Sequence, residues 1–164
     1  MSATPATVSA LPRWDVTSFF SGLESKQFER AFTQAIEDID ELEALFDARG
    51  VGELVDSSGL DGARSAFDEV ATRLNQVLEA TWTVGAYLYT FIATDSRDQT
   101  AQARMSELRP HEARLSKLET RFTAWIGSVD VEDLIEQSTT ARAHAFALGQ
   151  AKEAAEHLLS LIHI

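Results

Sequence analysis

Four histidines are the side chains of this chain whose ordinary pKa lies nearest neutrality, and there is no cysteine. Acid–base or metal chemistry at neutral pH is therefore sought first at those four positions. His111-Glu112 has the opening of His-Glu-x-x-His, in which two imidazoles one helical turn apart hold zinc and the Glu is the base. The position four after His111 is Leu115, so the second ligand is missing. His111 follows Pro110 on a polar face and is expected at the surface. His144 sits beside Phe146 in an alanine-rich stretch and reads as a packed or partly exposed histidine. His157 and His163 are six residues apart, which does not place them on one helical face. Glu37, Asp38, Asp40 and Glu41 form an acidic run. Carboxylate catalysis needs two acids held in different environments, and a solvated helix face accounts better for this run. Gly50-Val51-Gly52 lacks the strand before and the Lys after that a phosphate loop requires. No Gly-x-Ser-x-Gly elbow occurs. No catalytic and no metal-binding residue is therefore assigned. Trp82, Tyr87 and Tyr89 remain as candidates for lining a peptide groove, because amphipathic rings suit exposed contacts. Aromatics at helical spacing serve as core residues as well.

Long helices are predicted to carry these residues. Ser25 is a capping residue ahead of Phe28, Phe32, Ala35, Ile39, Leu42 and Phe46, which recur at spacings of four and three. Glu37, Asp38, Asp40, Glu41 and Glu43 fill the other faces, and Gly50 and Gly52 end the helix. Ser57-Ser58-Gly59 is a turn, and Asp61 or a neighbour caps a second helix of about 30 residues. Its stripe is Ala63, Phe67, Val70, Leu74, Val77, Thr81, Val84, Leu88 and Phe91. From Trp82 to Phe91 it is apolar on several faces and is expected beneath neighbouring helices. Thr94, Asp95 and Ser96 are N-cap candidates for a third helix, with Ala101, Met105, Leu108, Leu115, Leu118, Phe122 and Trp125 as its stripe. Pro110 either bends that helix or breaks it, and Gly127 ends it. Asp130 starts a short helix with Leu134 and Ile135. Thr139 or Thr140 opens a last one through Phe146, Leu148 and Leu158. No strand pattern and no fixed-period repeat are present. The fold class is all-α, an antiparallel bundle of long helices behind an extended N-terminal arm.

The chain has 164 residues, 45% of them hydrophobic, which suits one domain or part of a larger one. A complete domain of this size buries about 70% of its unfolded surface. A net charge of −12 argues against nucleic acid and against anionic membrane surfaces. Its plain consequence is solubility. The absence of cysteine excludes disulfides and thiolate catalysis. Met1 to Ala10 is small and polar. It lacks the charged and apolar parts of a signal peptide and is expected to be disordered. No apolar run reaches the ~20 residues of a membrane span, so cytoplasm is the default location.

Leu11-Pro12-Arg13-Trp14-Asp15 and Phe19-Phe20-Ser21-Gly22 form an arm that is expected to pack onto the body. The arm resembles the N-terminus of the oligoendopeptidase F-type zinc metallopeptidases, relatives of thimet oligopeptidase. The resemblance recurs at Thr94-Asp95-Ser96-Arg97-Asp98, at Arg121-Phe122-Thr123-Ala124-Trp125-Ile126-Gly127 and at His144-Ala145-Phe146-Ala147-Leu148. It implies an N-terminal helical domain over residues 11–158 that forms one wall of a channel admitting oligopeptides. In that family the opposite wall carries His-Glu-x-x-His and a later Glu, which hold the zinc. None of those motif residues has a counterpart here. The resemblance thus implies zinc and an oligopeptide substrate for a parent protein, and no activity for this chain alone. Residues 159–164, Leu159-Ser160-Leu161-Ile162-His163-Ile164, also read as one frame of a transposon end used in preparing sequencing libraries, and are expected to be a non-native tail. The other readings are a stand-alone helical interaction module that uses an apolar stripe, and a helical enzyme with paired buried acids.

Overall fold

The computed structural model describes residues 15–52 and 60–162, with side chains described for 15–52 and 66–155. The expectations placed on Met1 to Trp14, on the Ser57-Ser58-Gly59 turn, on the side chains of Ala63, His157 and Leu158, and on the last two residues lie outside them. The described residues are all-helical, with α1 (Lys26–Ala48), α2 (Leu60–Thr94), α3 (Gln99–Ser128), α4 (Val131–Gln137), α5 (Thr139–Ala143) and α6 (Ala145–Ile162). Among them there is no strand.

α1 forms as its spacing dictates. The Ser25 hydroxyl accepts from Phe28 N at 3.1 Å and satisfies one of the helix's free donors. Phe28, Phe32, Ala35, Ile39, Leu42 and Phe46 are its buried residues, the whole expected stripe. At the other end Gly50 turns left-handed at φ 64°. Its N–H bonds to Asp47 O at 3.3 Å, and Val51 N bonds to Phe46 O at 2.9 Å. This is a Schellman stop, completed by burial of Val51 in the same core cluster as Phe46. Ser25→Ala is expected to cost about 1 kcal/mol, measured by chemical denaturation. An unchanged midpoint would show that the cap is replaced by water.

The second stripe is buried from Phe67 to Leu88, with Phe91 half-buried. The backbone of α2 already includes Asp61, which therefore stands in its first turn and not at its cap. α3 departs from expectation at both ends. Its N-cap is Asp98, whose carboxylate accepts from Ala101 N at 2.9 Å. Asp95 instead closes a small turn by accepting from Arg97 N at 2.9 Å. Helix α3 passes through Pro110 unbroken. Pro110 and Ser106, whose carbonyl loses its partner, are both exposed, so water can take that bond. Gly127 does not end the helix, which continues to Ser128. The last predicted helix is two: Ser138 caps α5, and the chain turns at His144 before α6.

Contacts between α1 and α2 fall in reverse order. Phe28 meets Tyr87, Asp38 meets Arg73, and Arg49 meets Glu69. The same holds for α2 and α3, where Gly85 lies against Leu108 and Phe67 stacks on Trp125. α1 and α3 pair in forward order, Glu29 with Arg104 and Asp47 with Arg121. Two core clusters result. One joins α1, α2 and α3 to α4, α5 and α6 around Phe67, Trp125 and Leu134. The other gathers Phe20, Leu23, Phe28, Tyr87 and Leu108 at the opposite end.

Candidate functional site

Residues 15–20 decide what lies beside the end of α2. Thr17 donates to Asp15 Oδ1 from its backbone N at 2.9 Å and its hydroxyl at 2.6 Å. Those bonds hold the Asp15 carboxyl below its usual range. Phe19 N then bonds to Val16 O at 3.1 Å. This turn sends the two phenylalanines apart. Phe20 is 7% exposed and meets Phe28 and Tyr87 edge-on, whereas Phe19 is 60% exposed. The Tyr87 hydroxyl donates to the Phe20 carbonyl at 2.8 Å, which satisfies a buried backbone group and ties the segment to α2. Burial raises the Tyr87 pKa.

Between this segment and α2 lies an apolar recess of about 300 Å³. Val16 and Phe19 form one side; Trp82, Ala86 and Tyr87 form the other, with the threonines at 83 and 90. A second recess of about 460 Å³ continues between α1 and α2 and shares Thr83 with the first. Gln34 and Asp38 line it from α1, Gln76 and Glu79 from α2, and Phe20 contributes to its wall. Thr83 and Thr90 give their hydroxyl protons to Glu79 O and Tyr87 O at 2.8 and 2.7 Å. Their lone pairs remain as acceptors.

The three aromatic candidates separate. Trp82 lines the apolar recess and is 76% exposed. Tyr87 backs it as a core residue. Tyr89 is exposed and is not part of the lining. The expectation that Trp82 to Phe91 lies beneath neighbouring helices is thus corrected: α1, α3 and the 15–20 segment cover part of α2 and leave the Trp82 and Tyr89 face open.

The acidic run on α1 is mostly solvated as expected, with Glu37, Asp40 and Glu41 exposed and Asp38 half-buried. Arginines from both neighbouring helices pair with its acids and with Glu43 and Asp47 further along α1. Arg73 of α2 binds Asp38 and Glu41, both at 2.7 Å. From α3, Arg114 binds Asp40 at 2.7 Å and Glu43 at 2.5 Å, and Arg121 binds Asp47 at 2.8 Å. Arg104 pairs with Glu29 and lies over the Phe32 ring. Bonding to Asp38 raises the Arg73 pKa, and bonding to Glu43 and Asp40 raises that of Arg114. These pairs fix how α1 sits on its neighbours and supply no acid–base pair. The sequence signal was the recurrence of Arg104, Arg114 and Arg121 along α3, which carries meaning only against the acids of α1.

The two histidines with described side chains, His111 and His144, lie apart. His111 is half-buried, and its Nδ1 has no hydrogen-bond partner among the described residues, which corrects its expected place on an open polar face. His144 is exposed at the α5–α6 joint. Among the described residues no group of three or more His, Asp or Glu is placed to hold a metal ion. No described helix is long and apolar enough to cross a membrane.

The class defined by this fold is an all-α protein with an open, partly aromatic groove along one helix. Comparison with family models, curated proteins and solved structures finds no match.

Proposed function

We propose that this chain is the non-catalytic N-terminal helical part of a cytoplasmic zinc-dependent oligopeptidase. In this reading it is an antiparallel bundle with a docked N-terminal arm, and it forms a channel wall that holds extended peptides and limits their length. The observation that carries the reading is the groove beside α2, where exposed Phe19 and Trp82 flank an apolar recess of about 300 Å³. An apolar recess of that size falls at the small end of ligand-binding clefts. The local sequences that prompted the family resemblance also have structural work here. Asp98 caps α3, Trp125 is a core residue, and His144 marks the α5–α6 joint. No catalytic step is assigned to this chain, whose sequence has no His-Glu-x-x-His. Zinc would belong to the remainder of the parent, as a Lewis acid and activator of water.

The purified chain, given zinc and a short quenched peptide, is expected to show no cleavage that a chelator removes. The gene, read past the Leu158 codon from an independent template, is expected to continue into His-Glu-x-x-His with a later Glu. A stop codon directly after Ile164 in that template would overturn the reading. It would favour a stand-alone interaction module, for which Phe146, 79% exposed on α6, is the supporting observation.

A further inference from the structure

Both recesses of the groove are largely apolar and meet at Thr83, and the second also carries the carboxylates of Asp38 and Glu79. From Gln76 to Thr90 the wall supplied by α2 is about 21 Å long, room for about six residues of extended peptide. No charged residue lines the apolar recess. In the adjoining recess Asp38 is taken up by Arg73, which leaves Glu79 as an exposed carboxylate with no ion pair among the described residues. Glu79 and Ala86 are separated by about 10 Å along the α2 axis. Side chains two residues apart on an extended peptide emerge on the same side about 7 Å apart. The length of an arginine or lysine spans the remainder. The net charge of −12 favours approach of a cationic ligand and disfavours docking of a second copy of this chain.

We propose that the groove binds oligopeptides that carry a large apolar side chain and a basic side chain two residues apart. The apolar side chain enters between Phe19 and Trp82, and the basic one reaches Glu79. The threonine lone pairs at 83 and 90 accept from peptide N–H groups along the way. This names the substrate class of the channel wall proposed above and rests on that reading for its physiological meaning, but binding is testable without it.

The probe is an acetylated, amidated hexapeptide of Gly and Ser with Phe and Arg two residues apart, titrated into the ¹⁵N-labelled full chain. Amide shifts are expected at Thr83, Ala86 and Thr90. Replacing the peptide Arg by norleucine, or making Glu79→Gln in the protein, is expected to weaken binding about two- to fivefold, as for an exposed ion pair. The two changes together should cost no more than either alone. Replacing the peptide Phe by Ala, or making Phe19→Ala, is expected to weaken it about tenfold. Absence of shifts, shifts confined to other surfaces, or equal binding of the Arg and norleucine peptides overturns the proposal. The peptide series on the unaltered protein decides the matter even if a variant fails to fold. Binding without a downstream zinc motif in the gene would sink the peptidase reading alone. The motif without binding would sink this inference alone.

Discussion

Trp125→Ala is expected to lower stability by about 3–5 kcal/mol, the range for truncating a large, fully buried aromatic. Trp125 is 1% exposed. It stacks on Phe67 with ring centroids 6.4 Å apart and meets Phe122 at 5.9 Å. It also belongs to the cluster that joins the three long helices to Val131 and Leu134 of α4, Ala141 of α5 and Leu148 of α6. Truncation therefore opens a cavity where most of the helices meet, and little of it can close by side-chain movement. Domains of this size have about 5–15 kcal/mol in all, so the variant should sit close to unfolding. The measurement is the urea midpoint at constant slope. Trp82→Ala is the internal control. With 76% of that residue already exposed, its change should stay within about 0.5 kcal/mol. Equal losses for the two variants would show that the groove tryptophan, too, is packed against something.

Gly127→Ala is expected to destabilise by about 1–3 kcal/mol, although alanine is the better helix former. A Cβ at this position would fall well inside van der Waals contact with Ala155 Cβ of α6. Gly127 lies within α3, so the glycine serves a close approach of two helices. The clash is with another short side chain that cannot swing away, so α6 must move. Gly127→Ala combined with Ala155→Gly should recover at least half of the loss, a non-additivity read from the double-mutant cycle. If the single variant is as stable as the parent, α3 and α6 are not held this close.

The contrast between those two residues shows what could be read in advance. Spacing alone assigns Trp125 to the α3 stripe, and the structure buries it. Gly127 looks like a stop because glycine ends helices more often than it lets two of them touch, and spacing along one chain does not distinguish the two uses. The α3 cap moved from Thr94, Asp95 or Ser96 to Asp98 for a related reason. Several adjacent Asp, Ser and Thr residues can all cap, and only the bond to Ala101 N identifies the one that does. At the groove, Trp82 and Tyr87 were legible as aromatic candidates. Phe19 was not, since nothing local marks it as a neighbour of α2's open side, and Glu79 looks like any other solvated acid of α2 until α1 lies beside it.

By itself the sequence determined the helical class, the Ser25 cap, the glycine stop after α1, and the apolar stripes that α1, α2 and α3 bury. Those properties depend on residues within a turn or two of one another, where side-chain spacing and backbone donors act directly. Only the tertiary structure decided that the acids of α1 are held by arginines from α2 and α3, that Gly127 admits α6, and that Phe19 and Trp82 stand open across a groove. Each of these depends on groups far apart in the chain, and packing brings them together only after the local elements have formed.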